Sequence, residues 1–329
     1  MSANEIKIGS LLTKDEFREL TASDDRIAYA HLVLRLGIHA GLLFAMVRAW
    51  EGGYPALAFA AFYLNAVLWQ FAGYAGIGHE LFHKKVFSRK WLNTLFFKLF
   101  SYVTWNNPSY FEKSHQFHHA STFHEDDSEI YRDFPLDLLG AARLILLDYQ
   151  SLCRRIVYAL CNAFGYEAYF GKSIRLKAMP AERGGAQTDA VYMVLLNVVW
   201  LGLFLLMTRS PALTLMLFIT PFVGQLPNRV LALAQHVGLE DHKDESALFF
   251  SRTVNLPAPV AFFYANMNYH AEHHLLPSVP YYNLPKLHDI LNAKLKTERE
   301  EKEFSYLFTR DFWRSVGTSA RLEVDAVTK

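Results

Sequence analysis

Long apolar runs alternate along this chain with stretches in which charged residues recur every few positions, and that alternation predicts its elements. Ile27 to Trp50 is apolar apart from His31, Arg35 and His39, while Tyr54 to Ile77 contains no Lys, Arg, Asp or Glu. A transmembrane helix needs about 20 apolar residues. Both runs are long enough, although Arg35 would allow the first span to begin nearer Leu36. Glu51-Gly52-Gly53 separates them. Ala190–Met207 and Ala212–Ala234 repeat the arrangement across Thr208-Arg209-Ser210-Pro211, with Pro221, Pro227 and Arg229 predicting a kink or break late in the last run. The pattern predicts four spans, at about 27–50, 54–77, 190–207 and 212–234, paired as two hairpins.

The remaining chain is helical in pattern but charged. Leu92–Trp105 is apolar yet too short to span, which suits an interfacial or half-inserted helix. Leu136–Phe170 has the same character, with Arg143, Asp148, Arg154 and Arg155 along apolar turns. After the fourth run the chain turns polar at His236–Glu245 and closes through a helical, highly charged Leu284–Lys302. Phe304–Trp313 is aromatic enough to rest on the membrane surface or to pack as a tail. The expected fold is an all-α integral membrane protein forming one unit over 1–329, with 79–189 and 235–329 as a cap on one face. The hairpin tips carry only Arg209 and Arg48, whereas the cap face holds nearly all other Lys and Arg, which predicts a cytoplasmic cap and cytoplasmic termini. Residues 1–26 are polar and acidic, unlike a secretory signal.

Composition agrees with a divided chain: 52% of residues are hydrophobic and 15% aromatic, yet mean hydropathy is only +0.07. A net charge of +1 gives no hint of nucleic acid or an anionic partner. Cys153 and Cys161 make neither a disulfide framework nor a metal site and are expected to be inert core residues.

The chemistry lies in the histidines. His270, His273 and His274 in NYHAEHHLLP form a His-x-x-His-His pattern, repeated by His115, His118 and His119 in SHQFHHAST, with His79 and His83 at i, i+4 in GHELFH. These three boxes hold eight of the fourteen histidines. On a helix, i, i+3 and i+4 share a face, and adjacent residues diverge by about 100°, so His273 and His274 could serve two different ions. A lone histidine at a membrane edge is usually structural. Eight together without metal would suffer desolvation and, once protonated, mutual repulsion. A structural zinc site takes four ligands, so eight argue for two metals, and nitrogen ligation suits iron, zinc or copper alike. His236, where the fourth span emerges, is a further candidate ligand, and His124 a weaker one. Metal-bound histidines need acceptors on the other ring nitrogen. Glu80, Asp126, Asp127, Glu129 and Glu272 are the candidates, against the plain reading of solvated helix-face charges. His242 and His288 sit in charged context and are expected at the surface; His31 and His39 have no evident partner.

The boxes, their order and the flanking HAEHHLLPSVPYYNLPKLH resemble the membrane fatty-acid desaturase superfamily, over about residues 54–291. The resemblance implies four spans below a helical cytosolic cap, with two iron ions between them held by the eight box histidines. His236 matches a ninth histidine found in several members. It further implies dioxygen as co-substrate, hydrogen removal from an unactivated C–H bond, and either an alkene or an alcohol as product. The chain has no haem-binding or Cys-rich ferredoxin-like segment, so a separate ferredoxin- or cytochrome-type electron donor is implied. Within this class the expected activity is desaturation of an acyl chain entering from the bilayer, in a bacterium from the inner membrane. The alternatives are hydroxylation or desaturation of a small non-lipid metabolite. A metal transporter or scaffold would want ionisable groups near mid-bilayer, whereas here the boxes gather at span ends.

Overall fold

The computed structural model describes residues 11–124, 127, 129, 138–168, 180–295 and 299–318. It is mostly helical, and four helical stretches are long and apolar enough to cross a membrane: Lys14–Glu51, Pro55–Phe82, Gly184–Thr208 and Pro211–Ala234. In chain order the helices are α1 (Lys14–Leu20), α2 (Asp25–Glu51), α3 (Pro55–Trp69), α4 (Ile77–Phe82), α5 (Lys90–Val103), α6 (Pro108–Ala120), α7 (Leu138–Leu146) and α8 (Tyr149–Ala163). They continue with α9 (Pro180–Thr208), α10 (Pro211–Ile219), α11 (Leu226–Ala234), α12 (Ala247–Phe250), α13 (Ala258–Phe263), α14 (His270–Leu275) and α15 (Leu284–Lys294).

The first span is one uninterrupted helix. Asp24 caps it by accepting from Arg26 N and Ile27 N, and Arg35 does not break it. The Arg35 guanidinium is buried, donates to Tyr281 Oη and Phe262 O, and lies over the Phe262 ring at 4.2 Å. His31 and His39 are also satisfied, by Tyr281 Oη and Asn65 Oδ1. Small residues let α2 and α3 approach closely, Met46 and Ala49 meeting Ala58, Ala61, Phe62 and Ala66.

The second and fourth spans are both broken at a similar level, which sets the position of the histidines. α3 ends at Trp69, passes through a short 3-10 turn at Gln70–Ala72, and restarts as α4, carrying His79. This reversal requires glycine: a Cβ on Gly76 would lie 2.0 Å from Phe71 O, and one on Gly78 2.8 Å from Gly73 O. The fourth span breaks between α10 and α11 at Thr220–Gln225, as its prolines predict. Gln70 ties the two breaks together, its amide donating to Ala66, Thr220 and Val223 carbonyls.

One apolar cluster joins the three box helices. Ile77 and Leu81 of α4, Phe111 of α6, and Ala271 and Leu276 at α14 pack with Phe87, Phe97, Leu284 and Leu287. Each fully buried large side chain contributes roughly 1.5–3 kcal/mol, so this cluster supplies much of what holds the boxes together.

Several sequence expectations need correcting. The chain is not purely helical: β1 (Thr253–Asn255) and β2 (Glu301–Glu303) form a two-stranded parallel sheet, too short to show an alternating pattern. The last charged helix stops at Lys294 rather than Lys302. Of the two readings of Phe304–Trp313, the structure favours the packed tail, with Leu307 and Phe312 buried in a cluster with Tyr264 and Met267. Cys153 is exposed and Cys161 half-buried, so neither is a core residue. His288 is buried, not at the surface, and bonds through Nδ1 to Glu272 Oε1 at 2.7 Å.

Candidate metal centre

All nine histidines singled out from the sequence converge, and they do so as two groups. His79, His83, His115, His119 and His273 form one; His118, His236, His270 and His274 form the other, with ligand atoms in each group within 4.8 Å of one another. The adjacent pairs divide as helical geometry requires, His118 and His274 to one group and their neighbours His119 and His273 to the other.

Each box reaches the centre from a differently built element. His79 rides α4 directly after the glycine reversal, and His83 caps that helix. His115, His118 and His119 occupy the last turns of α6, a helix started by Pro108 and by Asn107, which accepts from Ser109 N. α14 is barely more than one turn and is buried along its length, so His270, His273 and His274 are set by packing rather than by helical stability. His236 follows α11, just beyond the second broken span.

Within each group the Nε2 atoms face each other. His79 and His273 are 3.0 Å apart, His115 and His119 2.9 Å, and His83 and His115 3.3 Å. In the second group His236 and His270 are 2.8 Å apart, His270 and His274 3.0 Å, and His118 and His274 3.1 Å. Four of the outward nitrogens have acceptors of their own, while His270 Nδ1 and His273 Nδ1 are buried without one. His79 Nδ1 donates to Tyr74 O, His236 Nδ1 to Phe250 O, His115 Nδ1 to Glu129 at 2.9 Å, and His118 Nδ1 to Asp127 at 3.1 Å. A neutral imidazole that donates from Nδ1 carries a lone pair on Nε2. The inward contacts are therefore lone pair against lone pair, which is repulsive unless a cation lies between them. For a metal–nitrogen bond of about 2.1 Å, neighbouring ligands of a tetrahedral or octahedral ion stand about 3.0–3.4 Å apart. The observed spacings and the all-nitrogen donor set fit first-row transition metals.

Electrostatics point the same way. Burial pushes the imidazoles of His83 and His236 down to about 3 and those of His115, His270, His273 and His274 well below the ordinary value, and in all but His83 neighbouring histidines add to the depression. The clusters are held neutral and able to coordinate.

The acidic candidates separate clearly. Asp127 and Glu129 are acceptors for box histidines, Glu129 also taking the Ser114 hydroxyl. Glu80 Oε1 lies 3.2 Å from His273 Nδ1 but out of line for a hydrogen bond. Glu272 faces away from the boxes and takes Thr253 Oγ1, His288 Nδ1 and Arg299 instead. It anchors α14 to β1 and α15. Asp126 lies outside the described residues. His124 pairs loosely with Asp244 and His242 with Glu245, both away from the groups. Sequence reasoning missed the Tyr74 and Phe250 carbonyls, which carry no side-chain signal.

A cavity of about 130 Å³ touches His79, His118, His236 and His270. It adjoins a second of about 240 Å³ between the two broken spans, the two sharing Tyr74, Ala75, Glu129, Arg229 and Ala232. Stacking closes the other side: Phe111 lies on His115 at 4.9 Å and on Tyr74 at 3.7 Å.

Residues 53–302, well over half of the chain, match the family described as Fatty acid desaturase. Comparison with curated proteins gives no match.

Proposed function

The chain belongs to the fatty acid desaturase family, and on that premise we propose that it is a di-iron membrane desaturase, using dioxygen as co-substrate and electrons from a separate ferredoxin- or cytochrome-type donor to place a double bond in an acyl-type substrate. The carrying observation is the convergence of nine imidazoles, seven of them buried, into groups of five and four. In this reading His79, His83, His115, His119 and His273 hold one iron, and His118, His236, His270 and His274 the other. When bound, the two ions supply dioxygen activation and hydrogen removal from an unactivated C–H bond.

The protein's own groups do the rest. Glu129, Asp127 and the carbonyls of Tyr74 and Phe250 fix the tautomer and tilt of four imidazoles and raise the basicity of their Nε2 atoms. The stack of Tyr74, Phe111 and His115 keeps water from one side, which protects reactive chemistry from side reactions. The 130 Å³ cavity gives a substrate C–H bond access beside His79 and His270. Four apolar stretches long enough to span, read as two hairpins whose tips carry few of the Lys and Arg, support a cytoplasmic centre and termini. The whole chain then acts as one unit.

Hydroxylation would use the same centre and differ only in where the substrate carbon rests. Product analysis by mass spectrometry after expression with a reducing system tests the proposal. Desaturation removes two hydrogen masses, whereas a product gaining one oxygen identifies a hydroxylase. A purified protein that holds zinc alone and consumes no dioxygen would sink both.

A further inference from the structure

The cavity beside the histidines carries a thioether in its wall that the proposed reaction leaves unused. Met267 lines it together with His79, His118, His236 and His270, which come from both groups. The residue is 1% exposed and sits in a cluster with Phe71, Leu233, Val237 and Tyr264. Its place is held by the backbone on either side. α13 ends at Phe263, and the chain then turns through Ala265 and Asn266, at φ of +54° and +52°. Two successive residues with a Cβ in the left-handed region cost free energy, and such strain persists where the surroundings impose it. Here Asn266 N donates to Ala261 O at 2.9 Å, and Asn266 Nδ2 to Tyr281 O at 3.0 Å. Met267 N donates to Tyr264 O, and Met267 O accepts from Gln235 Nε2, both at 3.1 Å. Gln235 lines the same cavity and directly precedes His236, so the methionine is tied to a segment that carries a candidate ligand.

We propose that Met267 is an internal substrate of the histidine centre: with no external substrate in the cavity, its sulfur takes up one oxygen atom and becomes the sulfoxide. The proposal rests on the oxidoreductase reading above and adds a second reaction to it. A thioether accepts oxygen through a sulfur lone pair, with no bond of its own broken. The neighbouring Leu233 and Val237 offer only C–H bonds. Methionine is unbranched and has three rotatable bonds with which to turn its sulfur toward free space. The cavity measures about 130 Å³. One water needs roughly 10–15 Å³ of such space, so dioxygen has room beside the sulfur.

The step balances with reactants already named. The O–O bond of dioxygen breaks. One oxygen forms the S–O bond, and the other leaves as water with two protons from solvent and two electrons from the donor. Dioxygen is reduced by four electrons, two from the donor and two from sulfur. The product is polar and chiral, and it is reversible by sulfoxide reductases. Oxidant formed without a substrate is thereby diverted to a repairable side chain instead of to the imidazoles. The other described methionines serve as internal controls. Met46 and Met193 are also buried but belong to other clusters, and Met207 is 82% exposed. Oxidant arriving from solvent reaches Met207 first, since susceptibility follows exposure. Oxidant made at the histidines reaches Met267 first.

Peptide mass mapping of the full chain tests this. The iron-loaded protein in detergent is reduced with dithionite, freed of excess reductant without air, and given isotopically labelled dioxygen in the presence of catalase. Label should accumulate at Met267 ahead of Met46, Met193 and Met207, and should be lost when zinc replaces iron. Hydrogen peroxide added to the metal-free protein should mark Met207 first. Met267→Leu is a nearly volume-conserving change and removes the acceptor. Combining it with Val237→Met places a sulfur at another position of the same wall, and label should reappear there. Equal label at Met267 and Met46 overturns the proposal, as does label that persists with zinc, or peroxide marking Met267 before Met207. These readings come from the parent chain and stand even if a variant fails to fold. Dioxygen uptake is followed in the same samples. Uptake that begins only when a lipid extract is added, with Met267 unlabelled, overturns the proposal alone. No uptake with or without the extract overturns both the proposal and the oxidoreductase reading.

Discussion

Asp127→Asn isolates what an acceptor behind a metal-binding histidine is worth. The Asp127 side chain is 1% exposed. Both its oxygens lie 3.1 Å from His118 Nδ1, and they also accept from Phe123 N and Glu129 N at 3.0 Å. An amide in the same place keeps one acceptor and turns two donors toward groups that themselves donate. His118 then loses the partner that fixes its proton on Nδ1, and Nε2 is no longer reliably the lone-pair end. Removing such a partner typically costs 10–100-fold in metal affinity, which converts to about 1.4–2.7 kcal/mol. A second cost, about 1–3 kcal/mol, falls on fold stability because a buried backbone donor goes unsatisfied. The two separate in one experiment. Iron retention is measured against a graded chelator well below the melting temperature, with circular dichroism confirming unchanged helix content. Iron affinity within twofold of the parent in a folded Asp127→Asn protein would refute the orienting role.

Three further outcomes follow from the same geometry. His236→Ala leaves the second group with His118, His270 and His274, so elemental analysis should find iron falling from two towards one per chain; two irons and full turnover would demote His236. Because His83 and His236 are held near 3 while an unfolded histidine titrates near 6.5, the unfolded chain binds more protons between those values and stability rises with pH there. The metal-free protein should therefore melt progressively lower as pH falls from about 7 towards 5, and a flat profile counts against the buried neutral cluster. Gly76→Ala would press a methyl group into Phe71 O; loss of iron with the other helices intact is expected, and normal iron loading would show that the reversal before α4 tolerates a side chain.

The grouping of the boxes was legible because a shared residue type at a fixed helical spacing can be read from letters, and the structure brings those histidines together. Spans were legible from the absence of charge, and the break in the fourth from Pro221 and Pro227. The matching break in the second was not, since Gly73, Gly76 and Gly78 lie in an uncharged run that reads as continuous helix. Arg35 looked like an interruption because its partners, Tyr281 and Phe262, lie more than 200 positions away. His288 misled for a related reason: its charged neighbours suggest solvent, but Glu272 and Asn292 satisfy its ring nitrogens inside the protein. Among the acidic candidates after the second box, nothing in sequence distinguishes Asp127 and Glu129 as acceptors from an ordinary charged turn. Backbone acceptors such as Tyr74 O have no sequence identity at all.

The union of His118 with His274 spans 156 positions, and that of His79 with His273 spans 194. During synthesis the first two boxes are complete long before the third exists. At 5–20 residues per second the ribosome needs roughly 8–40 s to travel from one partner to the other. Throughout that interval the nascent chain holds half a coordination sphere beside the membrane, open to protons, stray zinc and premature packing. On the proposed reading, metal capture is thus one of the last events in making this protein, and a chain truncated before residue 270 lacks the third box altogether. The metal centre doubles as a test of whether translation was finished.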